Sequence, residues 1–396
     1  MPKLAEMKYC TGCTACASAC PGSCITMAAD ENGFFCPMVD LDACVSCGLC
    51  ERACPVVTPM EIPGRMPAAY AAYTRDEALR LESSSGGVFS EIAKRVLEQK
   101  GAVFGATYNE QLEVVHICVE QVTDLARLRG AKYAQSCLGD TFLQVKARLD
   151  RGQQVLFSGT PCQVAGLKGF LNREYPNLLT VDFVCHSVPS PMAWKAYVRY
   201  RAQQDQDGQL PEKINLRSKH TGWSRYGYSN LFVYRSGTTH SVVSGQSLYM
   251  RLFGGGYLSR ESCENCRFKG YSRVSDLTLG DFWGIWDLHP EMDDNKGTSL
   301  VLVQSKLGEI VMEQIRERLV IKPVTLEEAS RQNPAMVRPA AVQNRRPEAL
   351  EQIRLGGIGT CESWFPAAAS PEKRTLRTRV RLLLGRIRRK CFSSRK

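Results

Sequence analysis

The sequence predicts an α+β protein: a small cysteine-rich module followed by a larger, mixed α/β body. Three observations predict it. Ten of the first 54 residues are cysteine, and eight of them repeat one spacing. From residue 68 to about 340, strand-like and helix-like patterns alternate. Pro59, Pro63, Gly64 and Pro67 mark a short linker between the two. At 396 residues and 44% hydrophobic content the chain has apolar surface for a sizeable core.

The repeated spacing is Cys10, Cys13, Cys16, Cys20-Pro21, then Cys44, Cys47, Cys50, Cys54-Pro55. This is C-x2-C-x2-C-x3-C-P twice, the ligand run of a bacterial ferredoxin-like domain with two [4Fe–4S] clusters. Two-residue gaps let three thiolates wrap one corner of an iron–sulfur cube, while the fourth cysteine serves the other cube. The spacing assigns Cys10, Cys13, Cys16 and Cys54 to one cluster, and Cys44, Cys47, Cys50 and Cys20 to the other. Gly12 and Gly48 give the backbone room to turn beside sulfide. Pro21 and Pro55 fix the chain as it leaves each loop. Zinc would need only paired C-x2-C hooks, which leaves the doubled three-hook run unexplained. Cys24 and Cys36 read as packing residues near the clusters.

The start, MPKLAEMKYC, shows no apolar signal core, and no run has the length to cross a bilayer. Reduced cysteines then point to the cytoplasm. The net charge of +11 is concentrated at one end: residues 372–396 hold eleven Lys or Arg against one Glu. Residues 374–391 interleave arginine with leucine, valine and isoleucine, as in a basic amphipathic helix. Such a helix suits an anionic membrane surface, which would make the protein peripheral there, or an acidic partner, or a solvated arm. The near-neutral remainder gives no basis for expecting nucleic acid.

Along the body, residues 88–100 read as an amphipathic helix ended by Gly101. Residues 102–108 and 112–119 read as a hairpin, 140–151 as helix and 155–157 as a short buried strand. A helix follows Gly159-Thr160-Pro161-Cys162-Gln163; 178–184 is a strand ending at Cys185-His186, and 192–204 is a helix. Residues 213–243 show strands and hairpins, and 246–253 a short helix. Residues 276–283 and 298–305 are strands, and 306–319 a helix. The expected division is 1–60, 68–165, 166–340 and a basic tail, 341–396.

Within the body, Cys162 and Cys185 each follow a short apolar strand, where active-site loops begin, and Cys263 and Cys266 form a C-x2-C hook. On spacing alone they are equally buried small hydrophobes with a zinc hook, or the ligands of a third cluster. The loop Ser84, Ser85, Gly86, Gly87 precedes a helix and exposes unpaired N–H groups, a ready anion site, or an ordinary helix cap with two flexible glycines. Phe282 and Trp283 are aromatic candidates for a cofactor wall or the core. His186, beside Cys185, is a candidate proton donor or a hydrogen-bond partner to sulfur. Gly254-Gly255-Gly256 lacks the strand–turn–helix setting of a dinucleotide site.

The strings LFSGTPCQVAGLKGFL, VDFVCHSVPSP, CENCRFKGYSRVSDLTLGDFWG and NKGTSLVLV, with SSSGGVFS upstream, resemble the family of coenzyme F-420 hydrogenase/dehydrogenase β-subunits across residues 8–320. The resemblance implies a flavin-binding body with FAD beside an iron–sulfur cluster, and hydride exchange with coenzyme F-420 or another two-electron substrate. It implies that Cys162, Cys185, Cys263 and Cys266 hold a third [4Fe–4S] cluster. It further implies flavin or diphosphate contacts from Ser84, Ser85, Gly86, Gly87, Lys132, Gln135, Ser136 and Thr160.

Clusters move one electron at a time, whereas a flavin collects two and delivers a hydride. The expected function is therefore an iron–sulfur flavoprotein oxidoreductase, with ferredoxin or a redox enzyme as its electron-transport partner and a small molecule as its two-electron substrate. The alternative is a non-catalytic electron-transfer subunit of a hydrogenase or dehydrogenase complex.

Overall fold

Left-handed backbone turns each cysteine loop back on itself: Gly12 and Thr14 have φ of 65° and 68°, Ser46 and Gly48 of 53° and 75°. Short helices follow the loops, α1 (Ala15–Ser18) and α2 (Leu49–Ala53), and an antiparallel hairpin, β1 (Ile25–Ala29) and β2 (Phe35–Val39), joins them. The structure, a computed structural model, describes residues 2–62, 64–223 and 227–365.

The body runs through β3 (Ala68–Thr74), α3 (Glu77–Glu82), α4 (Val88–Glu98), β4 (Ala102–Tyr108), β5 (Val114–Val119), α5 (Thr141–Asp150), β6 (Val155–Ser158), α6 (Pro161–Leu171), β7 (Leu178–Phe183) and α7 (Pro191–Gln206). It continues through β8 (Lys213–Ser218), β9 (Ser229–Val233), β10 (Thr239–Val243), α8 (Leu248–Gly254), β11 (Leu277–Asp281) and α9 (Ile285–Leu288). Last come β12 (Ser299–Val303), α10 (Lys306–Gln314), β13 (Leu319–Val324), α11 (Leu326–Ser330) and α12 (Arg346–Gly356).

Eight strands form one mixed sheet in the order β13-β3-β12-β11-β7-β6-β4-β5. Its centre, β11, β7, β6 and β4, is parallel, and antiparallel strands complete both edges. Parallel strands are buried on both faces and so read as continuous apolar runs, as in β6. On one face α4 packs Ile92 and Val96 with Val311 of α10 against Leu156, Leu179 and Val301. On the other, Phe142 and Val145 of α5 and Val164 and Leu167 of α6 meet Phe104 and Phe157. Each such buried side chain contributes about 1.5–3 kcal/mol. A smaller sheet, β10-β9-β8, packs with α7, α8 and α12 around Trp194, Tyr197 and Phe232.

The pattern departs from the sequence reading in four places. The alanine-rich β3 lacks β-branched residues over most of its length and was not visible as a strand. The helix expected over 306–319 stops at Gln314, and Leu319 opens β13, an edge strand that tolerates Pro323. The hairpin strand expected from Leu112 begins at Val114, because Leu112 sits at φ 60° in the turn. Ordered chain continues past 341, with Leu350 and Ile353 of α12 buried beside α7. The basic segment 374–391 lies outside the described residues. Among the described residues no helix is long and apolar enough to cross a membrane.

Candidate redox centre and cleft

Parallel strands leave a crevice beyond their carboxyl ends, where ligands of open α/β sheets bind. Here a cleft of about 970 Å³ opens there, lined by Gly105 of β4, Ser158 to Thr160 after β6, Val181 to His186 of and after β7, and Leu279 to Asp281 of β11. The sequence-derived candidates converge on it. Ser84, Ser85, Gly87, Lys132, Gln135, Ser136, Thr160, Cys162, Cys185 and His186 all line this wall.

Cys162 is the second residue of α6, whose start is fixed by a capping box between Thr160 and Gln163 and by Pro161 at the first turn. Thr160 Oγ1 lies 3.1 Å from Cys162 Sγ. The four body cysteines are close enough to act on one another electrostatically: Cys162 feels Cys266 and Cys185, and Cys263 feels Cys162 and Cys266. Burial pushes the thiols of Cys162, Cys185 and Cys263 up to about 12. Thiolates there need a counter-charge, and cations are at hand: Arg260 acts on Cys162 and Cys263, and Lys269 and Arg273 on Cys185. Four convergent sulfurs ringed by cations fit an anionic iron–sulfur cage.

The cysteine-rich module forms two further groups. Cys16 lies among Cys10, Cys54 and Cys50, and Cys13 beside Cys16 and Cys54. A separate small cavity is lined by Cys20, Cys44, Cys47 and Cys50 together with Cys24, whose Sγ is 3.2 Å from that of Cys20. Cys24 and Cys36 are both buried. The module docks on α6, where glycine allows close approach. A Cβ on Gly166 would lie 2.8 Å from Cys13 Sγ, and one on Gly169 2.5 Å from Ala53 O. Cys13 thereby also neighbours Cys162, so one sulfur group abuts the next.

The flavin candidates divide by what their atoms already do. The first N–H groups of α4 have no side-chain cap, since Gly87 (φ 85°) is the N-cap, and Val88 to Ser90 line the cleft. That arrangement suits an anion. Gly86 does not line the cleft; its amide donates to Ser299 Oγ and its carbonyl accepts from Thr74 N. A Cβ at Gly86 would sit 2.5 Å from Ala72 O, so glycine is required by the sheet edge. Lys132 donates to the carbonyls of Leu128 and Arg129, and burial pushes it down to about 7. Gln135 works in the seam between module and body: its Oε1 accepts from Phe35 N at 2.9 Å. Ser136 Oγ accepts from Gln163 Nε2 at 2.9 Å. His186 packs edge-on to Phe253. Trp283 lines the cleft, whereas Phe282 is turned into the core with Ile285 and Leu300.

Several site residues escaped the sequence reading. Arg217, buried, pairs with Asp281 at 2.7 Å, donates to Tyr133 Oη at 2.9 Å and lies over the rings of Trp223 and Tyr228. Burial raises the Asp281 carboxyl and Arg217 opposes it. Arg260 and Thr11 are the others; Thr11 Oγ1 is buried without a partner at the cleft wall. The only sequence signal for Arg260 was its position three residues before Cys263.

A flavin-sized cleft with cationic walls and an orphaned hydroxyl, backed by three groups of sulfurs, defines an iron–sulfur redox protein with an adjoining ligand site. Residues 9–57 belong to the 4Fe-4S dicluster domain family, and residues 152–329 to the family of the C-terminal part of the coenzyme F420 hydrogenase/dehydrogenase beta chain. The protein is thus an iron–sulfur oxidoreductase component of that type. A curated relative, the F component of the F(420)H(2) dehydrogenase of Methanosarcina mazei, is 24% identical over 341 residues, which span 81% of this chain and 87% of the relative. A chain of the F420-reducing [NiFe] hydrogenase complex from Methanosarcina barkeri superposes with a TM-score of 0.47 at 16% identity, covering 76% of this chain and 97% of that one. That likeness is slight.

Proposed function

We propose that the chain passes electrons between its ferredoxin-type clusters and FAD bound in the cleft, exchanging hydride with coenzyme F420 or another two-electron substrate. One observation carries this reading: Cys162 and Cys185 line the same cleft as the uncapped start of α4, while Cys162 also neighbours Cys13 of the dicluster module. Inner sulfurs, body sulfurs and an anion-ready cleft therefore form one continuous line. A flavin bound there supplies two-electron chemistry that one-electron cages lack.

The protein's own residues take distinct parts. The start of α4, with Ser84, Ser85 and Gly87, receives a diphosphate. Arg217 and Asp281, held by Tyr133, Trp223 and Trp283, form the far wall against a planar ring. His186 stands beside Cys185 as the candidate proton donor to substrate. Of the eight module cysteines only Cys47 is exposed, which makes the outer group the port for a redox-enzyme or ferredoxin partner. The M. mazei relative's printed name supports the same substrate class.

The test is anaerobic purification with iron counting, mass spectrometry of the released flavin, and reduction of coenzyme F420 by the dithionite-reduced chain alone. About twelve iron atoms correspond to three four-iron clusters. A chain that holds iron and no flavin, and turns over no two-electron acceptor, would instead be a pure electron relay.

A further inference from the structure

We infer that Arg260 is a shared counter-charge for two neighbouring clusters, the inner one of the dicluster module and the one held by the body cysteines, and that it raises the reduction potential of both. This rests on the proposed function in one respect, that Cys162, Cys185, Cys263 and Cys266 hold a cluster.

Arg260 is 4% exposed and stands in the seam. Its Nε donates to Cys10 O at 2.6 Å, Nη1 to Phe35 O at 3.1 Å and to Gln135 Oε1 at 3.3 Å, and Nη2 to Cys36 Sγ at 3.2 Å. Every one of these acceptors is neutral, and among the described residues no carboxylate pairs with it. Leaving a buried cation unpaired costs several kcal/mol. The charge is placed where sulfurs gather: beside Cys10 and Cys36 on the module side, and acting on Cys162 and Cys263 on the body side. Arg346 lies against the other edge. It shares the Phe34 ring with Arg260, at 5.7 and 5.4 Å, and acts on Cys263. A cage bound by four thiolates is anionic and becomes more so on reduction, so a fixed buried cation stabilises the reduced form more than the oxidised form. A docking role alone would need the hydrogen-bonding fork; this role needs the charge.

The experiment is an EPR-monitored redox titration of the anaerobically reconstituted full chain, with signals assigned from Cys47→Ser and Cys266→Ser variants. In Arg260→Gln both inner potentials fall, by a tenfold change in the one-electron equilibrium or about 59 mV, while the outer cluster does not move. In Arg260→Lys, which keeps the charge and loses the fork, they stay within threefold of the unmodified chain. Arg346→Gln lowers the body cluster alone. Equal behaviour of the Gln and Lys variants at position 260, or an equal shift of the outer cluster, overturns the claim. Should Arg260→Gln lose iron, an unmoved body cluster in Arg346→Gln overturns it. An iron count near eight in the unmodified chain would remove the body cluster and the functional reading. The Arg260 claim would then stand or fall on the inner module cluster.

Discussion

Gly12 shows how one residue ties the cysteine loop to the body. Its φ is 65°, and a Cβ there would meet Gln135 Nε2 at 2.3 Å and Phe35 O at 2.5 Å. Gly12→Ala is expected to cost about 1–2 kcal/mol from backbone strain alone, with the clash added, and to loosen the seam. Limited proteolysis of the linker and iron retention measure it. His116 on β5 makes a pH prediction. Burial pushes it down to about 4, against an ordinary value of 6.5, and its Nε2 donates to Ser158 O at 3.1 Å. Between these values the unfolded chain binds more protons than the folded one, so stability falls as pH drops from 6.5 toward 4. The full effect is on the order of 3 kcal/mol, and urea unfolding at pH 7 and pH 5 should show part of it, flattened in His116→Gln. The doubled cysteine spacing made the module legible residue by residue. Arg260 and Arg217 were not legible, because a buried arginine acquires its role only from chain segments distant in sequence.

Helix α6 carries two duties, starting at Cys162 and seating the dicluster module through Gly166 and Gly169. An exposed helical glycine changed to alanine would gain about 1 kcal/mol. At Gly166 the sign should reverse, since the new Cβ would lie 2.8 Å from Cys13 Sγ. Gly166→Ala is expected to lower the melting temperature and perturb the EPR spectrum of the inner cluster only. A stabilised variant with unchanged spectra would show that this contact is not made. Elements with strong periodicity, such as α4 and α7, were readable from sequence to within a few residues. The strands β3 and β13 were not, because one is built largely from alanine and the other carries proline. Their strand character comes from pairing with each other, Ala72 opposite Ile321, and from β12.

The sheet sets the order of the whole molecule: parallel strand ends make the cleft, α6 lies beside it, and the module docks behind. The outer sulfur group faces away, with Cys47 exposed and Val45 78% exposed next to it. Val45→Glu is expected to slow reduction by a protein donor severalfold while leaving dithionite reduction unchanged, because only the former needs an apolar contact. Stopped-flow traces with both donors check this.

By itself the sequence determined the two-cluster module, because ligand spacing within one short loop is a local property that needs no distant partner. It also determined the mixed α/β character of the body, through patterns that are equally local. Only the tertiary structure decided that Cys162, Cys185, Cys263 and Cys266 meet, that the cleft opens beside them, and that an arginine stands between two sulfur groups. Those are long-range facts, fixed by which strands pair and which helix faces pack, and no window along the chain contains them.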